Sequence, residues 1–166
     1  MKIISFLLSM LLTQLFAVAQ PGDKADKSPY FLSYPCLSPD GAVVVFCFEG
    51  DLWKADVSGG QAVRLTAMPG YETSPRFSPD GKWIAFTGRQ NGNADIYVIP
   101  TAGGEIRQLT YGSYNEQVSS WSWDSRYIYL TSDQMGQQSG FKISVDGGTP
   151  IRVFGDYFFQ YDHNLF

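Results

Sequence analysis

Histidine and cysteine are nearly absent from this 166-residue chain, which has one histidine and two cysteines. A structural zinc site needs four clustered cysteine or histidine ligands, so the composition does not support one. His163 is also the one histidine available for a Ser-His-Asp triad, and the sequence has no Gly-x-Ser-x-Gly motif. We interpret His163 as an ordinary loop residue, and we assign no catalytic, cofactor-binding or metal-binding residue.

Charged residues are also few, at 17% of the chain, and acidic side chains outnumber basic ones for a net charge of −4. A nucleic-acid partner would require clustered lysine and arginine, so the charge balance argues against one. Hydrophobic residues make up 44% of the chain and aromatic residues 16%, which is too apolar for a disordered protein. Helical periodicity of useful length is missing after Gln20, so the sequence predicts an all-β fold.

The longest apolar run lies at the N-terminus and is short for a membrane span. Lys2 precedes the mainly apolar stretch Ile3–Leu15, and Ala17-Val18-Ala19 follows with small residues in the pattern of a signal-peptidase site. A spanning helix needs roughly 20 apolar residues. We predict a signal peptide over residues 1–19, cleavage after Ala19, a linker over 20–32, and a periplasmic or secreted protein without membrane attachment.

The exported chain would retain Cys36 and Cys47. An oxidising compartment permits a disulfide, but a hairpin at Ser38–Gly41 would place Ser33, rather than Cys36, opposite Cys47. An offset of three residues, at roughly 3.3 Å each, exceeds the Cα separation of a disulfide. We predict two buried free thiols.

The dominant feature of the sequence is an internal repeat of 44 residues. The second and third copies of a turn motif keep this spacing. The first two copies lie 40 residues apart, so the loop before Asp51 differs in length between the copies. The matching segments are Ser38-Pro39-Asp40-Gly41, Ser78-Pro79-Asp80-Gly81 and Ser122-Trp123-Asp124-Ser125; Asp51-Leu52-Trp53 and Asp95-Ile96-Tyr97, with Phe141 in the third aromatic slot; Gly59-Gly60, Gly103-Gly104 and Gly147-Gly148; and Leu65-Thr66 and Leu109-Thr110.

Each copy has the pattern of four short strands joined by tight turns. The run Val43–Phe48 is apolar without alternation, which predicts a strand buried on both faces. A period of 40–50 residues with four strands indicates a β-propeller. We predict a partial propeller over residues 33–166, with blades at about 34–66, 73–110 and 118–154 and the start of a fourth at 155–166. Because propellers close with typically four to eight blades, we expect a longer protein that supplies the remaining blades.

The repeated residues themselves have structural interpretations. Asp40, Asp80 and Asp124 occupy turn positions and are expected to cap backbone amides rather than bind calcium. The paired glycines are turns, and the aromatic slot of Trp53, Tyr97 and Phe141 favours packing between blades. The unrepeated polar loops, residues 111–117 and 134–139, are better candidates for a channel mouth or partner contact.

The repeat Ser78–Thr87, Asp95–Val98, Gly103–Glu105 and Leu109–Thr110 resembles the propeller repeat of TolB, which also occurs in prolyl-oligopeptidase relatives and tricorn proteases. The opening of the chain, with Gly50–Trp53 and Gly70–Glu72 before Arg76–Gly81, is similar to the start of bacterial tricorn-type proteases. This resemblance implies an N-terminal propeller that guides or filters peptides toward a C-terminal serine-peptidase core beyond these residues. The alternatives are a TolB-like periplasmic protein-binding propeller without enzyme activity, and the propeller of a prolyl-oligopeptidase-type peptidase.

Overall fold

The computed structural model describes residues 32–154 and contains three four-stranded antiparallel sheets, which confirms the predicted all-β propeller architecture. In each sheet the strands are hydrogen-bonded in chain order. Sheet 1 consists of β1 (Ser33–Leu37), β2 (Val43–Phe48), β3 (Asp51–Asp56) and β4 (Val63–Arg64); sheet 2 of β5 (Glu72–Phe77), β6 (Trp83–Gly88), β7 (Asp95–Pro100) and β8 (Arg107–Gln108); and sheet 3 of β9 (Glu116–Trp121), β10 (Tyr127–Ser132), β11 (Ser139–Ser144) and β12 (Ile151–Phe154).

The repeated turn has the same hydrogen bonds in all three copies. Asp80 Oδ1 accepts from Ser78 Oγ at 2.6 Å and from the Lys82 amide at 3.1 Å. Asp40 and Asp124 make the equivalent bonds in the first and third copies. These bonds lower the pKa of each aspartate, and they confirm the predicted role of the aspartates in the turns.

The sheets are arranged radially about their first strands. β1 contacts β5, and β5 contacts β9, whereas the substantial contacts between sheets in the described chain do not involve β4, β8 or β12. The first strands therefore lie at the inside of the array, where a propeller has its central channel.

Two hydrophobic cores separate the three sheets. Sheet 2 contributes alternate residues to each core: Ile84 and Phe86 of β6 face sheet 1, while Ala85 faces sheet 3. The strands β6 and β7 are consequently buried along almost their whole length. The apolar run in β2 predicted burial on both faces for sheet 1. The structure instead shows such burial in sheet 2.

For β2 the predicted burial on both faces is wrong. Val45 and Cys47 are buried against sheet 2, but Phe46 and Phe48 on the other face are only partly buried. The reason is that no other sheet of the described chain covers this face. Trp53 lies on the same face, against Phe48 with ring centroids 5.9 Å apart.

The aromatic slot behaves as predicted in two of its three copies. Tyr97 packs into the core between sheets 1 and 2, and Phe141 into the core between sheets 2 and 3. Each of these side chains therefore faces the sheet that precedes its own in the chain. Trp53 occupies the same slot of sheet 1 and is directed to the face without a covering sheet.

The cysteines are free, as expected, and Ser33 pairs with Cys47 across β1 and β2. The expectation that both thiols are buried is correct for Cys47 and wrong for Cys36, which is half-buried because β1 is the edge strand of its sheet. Burial raises the pKa of the Cys47 thiol to about 12.

The predicted signal peptide, most of the linker, the fourth-blade segment 155–166 and His163 lie outside the described residues. Residues 32–154 contain no helix with the length and hydropathy to cross a membrane.

Candidate functional site

Two buried carboxylates occupy equivalent positions at the inner strands of sheets 2 and 3. Glu72 is the first residue of β5 and Glu116 the first residue of β9, 44 residues later. Glu72 is 1% exposed and Glu116 is 3% exposed. A buried carboxylate is costly unless it is hydrogen-bonded, so the partners of each oxygen decide what the two sites can do.

The Glu72 carboxylate is fully hydrogen-bonded within the protein. Its Oε2 atom accepts a hydrogen bond from the Thr66 hydroxyl, which itself accepts the Leu52 amide at 2.8 Å. Its Oε1 atom accepts from the side-chain amide of Gln90 at 3.1 Å. Burial raises the pKa of Glu72, and the bonds from Thr66 and Gln90 oppose that rise in part. Glu72 is therefore a structural residue that joins sheet 1 to the loop after β6.

The Glu116 carboxylate has fewer hydrogen-bond partners than the Glu72 carboxylate. A hydrogen bond with Thr110, the equivalent of Thr66, acts on its pKa, which burial raises overall. Its Oε2 atom, however, is buried and has no hydrogen-bond partner among the described residues. An unsatisfied buried acceptor costs about 1–3 kcal/mol, so this oxygen lowers the stability of the fold.

The two glutamates have different residues opposite them in the neighbouring strand. Glu72 pairs with Gly88 across β5 and β6, and Glu116 pairs with Ser132 across β9 and β10. A Cβ atom at Gly88 would lie 2.3 Å from Gln90 Oε1, so a larger residue there would displace the end of the Gln90 side chain. In sheet 3 the Gln134 backbone amide, at the position equivalent to Gln90, donates to Ser132 Oγ at 3.3 Å.

Glu116 is one of the residues that line a cavity of about 330 Å³ between sheets 2 and 3, at the ends of the inner strands. This volume is within the range of small-ligand pockets, roughly 300–1,000 Å³. The two loops selected from the sequence both contribute to it, residues 111–117 through Asn115, Glu116 and Gln117, and residues 134–139 through Gln138. The rest of the wall consists of Tyr34, Thr73, Thr87, Arg89, Ala94 and Thr131.

The wall of the cavity is polar and contains one basic and one acidic residue. Arg89 is exposed at the cavity, whereas Glu116 is buried in it. Bonds between sheets hold the wall in place: the Val118 amide donates to Thr87 Oγ1 at 3.0 Å, and Gln117 Nε2 donates to Ser74 Oγ at 3.1 Å. Such a wall can orient a polar ligand by hydrogen bonds, and the described residues lining it include neither histidine nor cysteine as a nucleophile or base.

The sequence predicted the two loops but not the buried, unpaired oxygen of Glu116. Glu72 and Glu116 are separated by the same 44 residues as the recognised motifs, so the repeat itself was the available signal. The pair is hard to recognise because each glutamate is a single matching residue at the start of its strand and not part of a longer repeated motif.

Comparison with known proteins identifies the relatives of this chain. The family model described as the tricorn protease N-terminal beta propeller domain matches residues 29–162. Tricorn protease homolog 1 from Streptomyces coelicolor is 37% identical over 127 residues, which cover 73% of this chain and 12% of that protein. A putative tricorn-like protease N-terminal subunit from Sulfurisphaera tokodaii is 33% identical, with coverage of 74% and 69%.

Solved structures agree on the fold. The tricorn protease structure superposes with a TM-score of 0.66 at 23% identity, covering 77% of this chain and 14% of the other. TolB from Acinetobacter baumannii superposes with a TM-score of 0.62 at 25% identity, covering 72% and 31% respectively. The chain thus spans a small part of the Streptomyces relative and of both solved structures.

Proposed function

This chain belongs to the tricorn protease N-terminal β-propeller domain family, and from that premise we propose that it is the accessory propeller of an exported tricorn-like serine peptidase. In this role the propeller positions or filters peptides and supplies no catalytic residue from the described part of the chain. The remaining blades and the peptidase core are its partners within the full-length protein.

The observation that carries this proposal is the polar cavity at the inner strands. It lies where a propeller has its central channel, and two polar loops, at Asn115 and at Gln138, meet there. A polar wall at this place supports contact with a peptide that passes through the channel.

Export is the second element of the proposal. The pattern Lys2, Ile3–Leu15 and Ala17-Val18-Ala19 supports cleavage by a signal peptidase. Mass spectrometry of the protein purified from its native host should find Gln20 as the N-terminal residue. A mature protein that begins at Met1 would contradict export through this segment.

A loop exchange in the full-length protein tests the guiding role. We expect that replacing residues 134–139 with a Gly-Ser segment lowers the turnover of a peptide substrate several-fold, because the cavity loses one wall. The readout is kcat/KM for a peptide of eight to ten residues, compared with that for a single-residue chromogenic substrate, which needs no guidance.

The matched control is a Gly-Ser exchange of the β7–β8 turn at residues 102–105, which lies at the opposite end of the sheets. This control should leave both substrates unaffected. Unchanged turnover of the long peptide in the 134–139 variant would contradict the guiding role.

A TolB-like binding propeller without enzyme activity is the second candidate, favoured by the structural similarity to TolB at 25% identity. The coding sequence beyond Phe166 separates the candidates. A second propeller and a peptidase core support the tricorn-like role, and a stop codon after about three further blades supports the binding protein. A Gly-x-Ser-x-Gly motif in an α/β segment would indicate the prolyl-oligopeptidase type instead.

A further inference from the structure

We propose that Asp95 and Glu116 carry one proton as a pair in the folded protein, and that the contact between sheets 2 and 3 loosens when rising pH removes this proton. Asp95 is the first residue of β7 and is 1% exposed, and Glu116 at the start of β9 is 3% exposed. Glu116 and Ala94, the neighbour of Asp95, are among the residues that line the cavity. The inference concerns the contact between the sheets, and a consequence for peptide guiding rests in addition on the proposed function.

One hydroxyl group serves both carboxyl groups. Thr110 Oγ1 donates to Asp95 Oδ1 at 3.5 Å, and a hydrogen bond with the same side chain acts on Glu116. A hydroxyl group has one proton to donate, so it cannot bond fully to both carboxylates at the same time. Glu116 Oε2 also lacks a hydrogen-bond partner among the described residues. If both groups were ionised, at least one buried negative charge would be poorly compensated.

The equivalent place in sheet 1 has a cation that sheet 2 lacks. Asp51 Oδ2 accepts from Nη2 of Arg64, and Arg64 Nε donates to the Thr66 carbonyl at 2.8 Å. Gln108, 44 residues after Arg64, keeps the contact with the carbonyl, since its side-chain amide donates to the Thr110 carbonyl at 2.8 Å. It brings no charge, however. Within residues 32–154 the aspartate of sheet 2 consequently has no ion pair.

Two buried carboxyl groups without a cation favour the uncharged form. Burial raises the pKa of Glu116, the bond with Thr110 opposes this rise, and the charges of Asp95 and Asp133 add to it. Burial also raises the pKa of Asp95, and hydrogen bonding opposes that rise in part. Because the two groups act on each other, their protons belong to the pair rather than to either residue alone.

The other ionisable groups around the pair do not supply the missing positive charge. Asp133 is an anion whose pKa is lowered by its hydrogen bonds with Asn115. Tyr97 on β7 is buried and uncharged, and Tyr111 after β8 is exposed. Arg89 lines the same cavity but is exposed. The remaining cation of β8, at residue 107, is directed to a carbonyl group after β11.

The direction of the pH effect follows from the linkage between protonation and folding. In the unfolded chain aspartate and glutamate release their protons at about pH 4, whereas the folded pair holds a proton to higher pH. The resulting stability is complete below the unfolded pKa and is lost as the pH rises through the raised pKa of the folded pair. Sheets 2 and 3 should therefore separate locally more often as the pH rises.

Hydrogen exchange of the full-length protein between about pH 4 and pH 7 tests this expectation strand by strand. The readout is the opening constant of the β9 amides, corrected for the intrinsic exchange rate at each pH. Each proton lost on opening changes such a constant by up to about tenfold per pH unit, so we expect a rise of at least about tenfold over the range. A β9 opening constant that does not rise with pH overturns the proposal.

A variant with the missing cation assigns the effect to the pair. Gln108→Arg should pair with Asp95 as Arg64 pairs with Asp51, and should reduce the rise in β9 opening several-fold. Gln108→Met is the matched control, because it changes the same side chain without adding charge, and it should keep the wild-type pH dependence. Wild-type pH dependence in Gln108→Arg contradicts the proposal, as does an equal reduction in both variants.

Two further variants approach the pair from the other direction. Glu116→Gln keeps the shape of the side chain and cannot ionise, so β9 opening should become nearly independent of pH. Arg64→Gln removes the cation of sheet 1 and should give the β5 amides a steeper pH dependence than they have in the wild type. The slope with pH is compared rather than the absolute stability, so a general destabilisation by either substitution does not imitate the result. Unchanged slopes in both variants contradict the proposal.

Peptide turnover separates this inference from the proposed function. If β9 opening depends on pH through Gln108 and Glu116 while the 134–139 exchange leaves turnover of the long peptide unchanged, the shared proton stands and the guiding role is wrong. If the 134–139 exchange slows turnover while β9 opening is independent of pH, the guiding role stands and the shared proton is wrong.

Discussion

At the scale of single residues, equivalent positions in successive sheets can differ by one hydroxyl group. Tyr97 and Phe141 fill the same slot in successive sheets, and both side chains are 4% exposed. The Tyr97 ring stacks on Phe86 with centroids 5.6 Å apart, but its hydroxyl is buried and has no partner among the described residues. Burial raises the pKa of this hydroxyl to about 12. The ring is therefore well packed, whereas the unbonded hydroxyl lowers the stability of the fold.

Tyr97→Phe should stabilise the fold by about 1 kcal/mol, because it removes an unsatisfied hydroxyl and keeps the ring. The converse change, Phe141→Tyr, should destabilise by a similar amount, since it places a hydroxyl in the core between sheets 2 and 3. Denaturant-dependent hydrogen exchange of the β7 and β11 amides measures both. A destabilised Tyr97→Phe variant would show that the hydroxyl has a partner outside residues 32–154.

At the scale of the element, the three Ser-x-Asp-x turns keep one conformation although their sequences differ. Gly41 and Gly81 have φ angles of 71° and 70°, and Ser125 has φ of 60° in the third copy. A left-handed conformation costs a non-glycine residue about 1–2 kcal/mol. The Ser125 hydroxyl offsets part of this cost, because it accepts the Asp80 amide at 3.0 Å and so joins the turns of sheets 2 and 3.

Substitution at Ser125 separates these two contributions. Ser125→Ala keeps the strained backbone and loses the bond, so it should destabilise by about 1 kcal/mol. Ser125→Gly loses the bond but relieves the strain, and its stability should lie within about 0.5 kcal/mol of wild type. Equilibrium unfolding of the two variants checks the order; a Gly variant less stable than the Ala variant would contradict it.

At the scale of the whole molecule, the described sheets leave the outer face of sheet 1 uncovered. Leu32, Phe46, Phe48, Trp53 and Ala62 line a shallow apolar depression on the outer side of sheet 1. Since Tyr97 and Phe141 each face the preceding sheet, Trp53 is placed to face the blade that closes the propeller. Exposed apolar faces and open sheet edges promote association.

Residues 20–166 expressed alone should therefore aggregate. Replacing Phe46 and Trp53 with serine should raise the soluble fraction, because both lie on the uncovered face. The matched control, serine at Val45 and Leu52, should lower it, because these residues are buried against sheet 2 and large-to-small changes there cost several kcal/mol. Sedimentation of the two double variants is the measurement, and a monodisperse wild-type monomer would contradict the expectation.

The sequence predicted the repeat, the turns and the strand count because these depend on local chemistry. Asp80 and Gly81 favour their turn through local backbone chemistry. The 44-residue period can be recognised from the sequence alone. The prediction for β2 was wrong because an apolar strand is buried on both faces only where a sheet covers each face, and the composition of the strand does not show whether such a sheet is present. The unpaired Glu116 oxygen could not be predicted from the sequence, because the hydrogen bonds of a single buried atom depend on the packed positions of its neighbours.

One contact between neighbouring sheets is made in two copies by residues at different positions. Lys54 Nζ on β3 bonds to the Thr101 carbonyl at 2.9 Å, and Arg107 on β8 bonds to the equivalent Val145 carbonyl at 3.2 Å. Lys54 pairs with Val63, and Val98 pairs with Arg107, so the cation and the valine have exchanged strands between copies. Either strand of this pair can therefore supply the positive group that reaches the carbonyl of the next sheet, and comparing the copies position by position would miss a contact that both of them make.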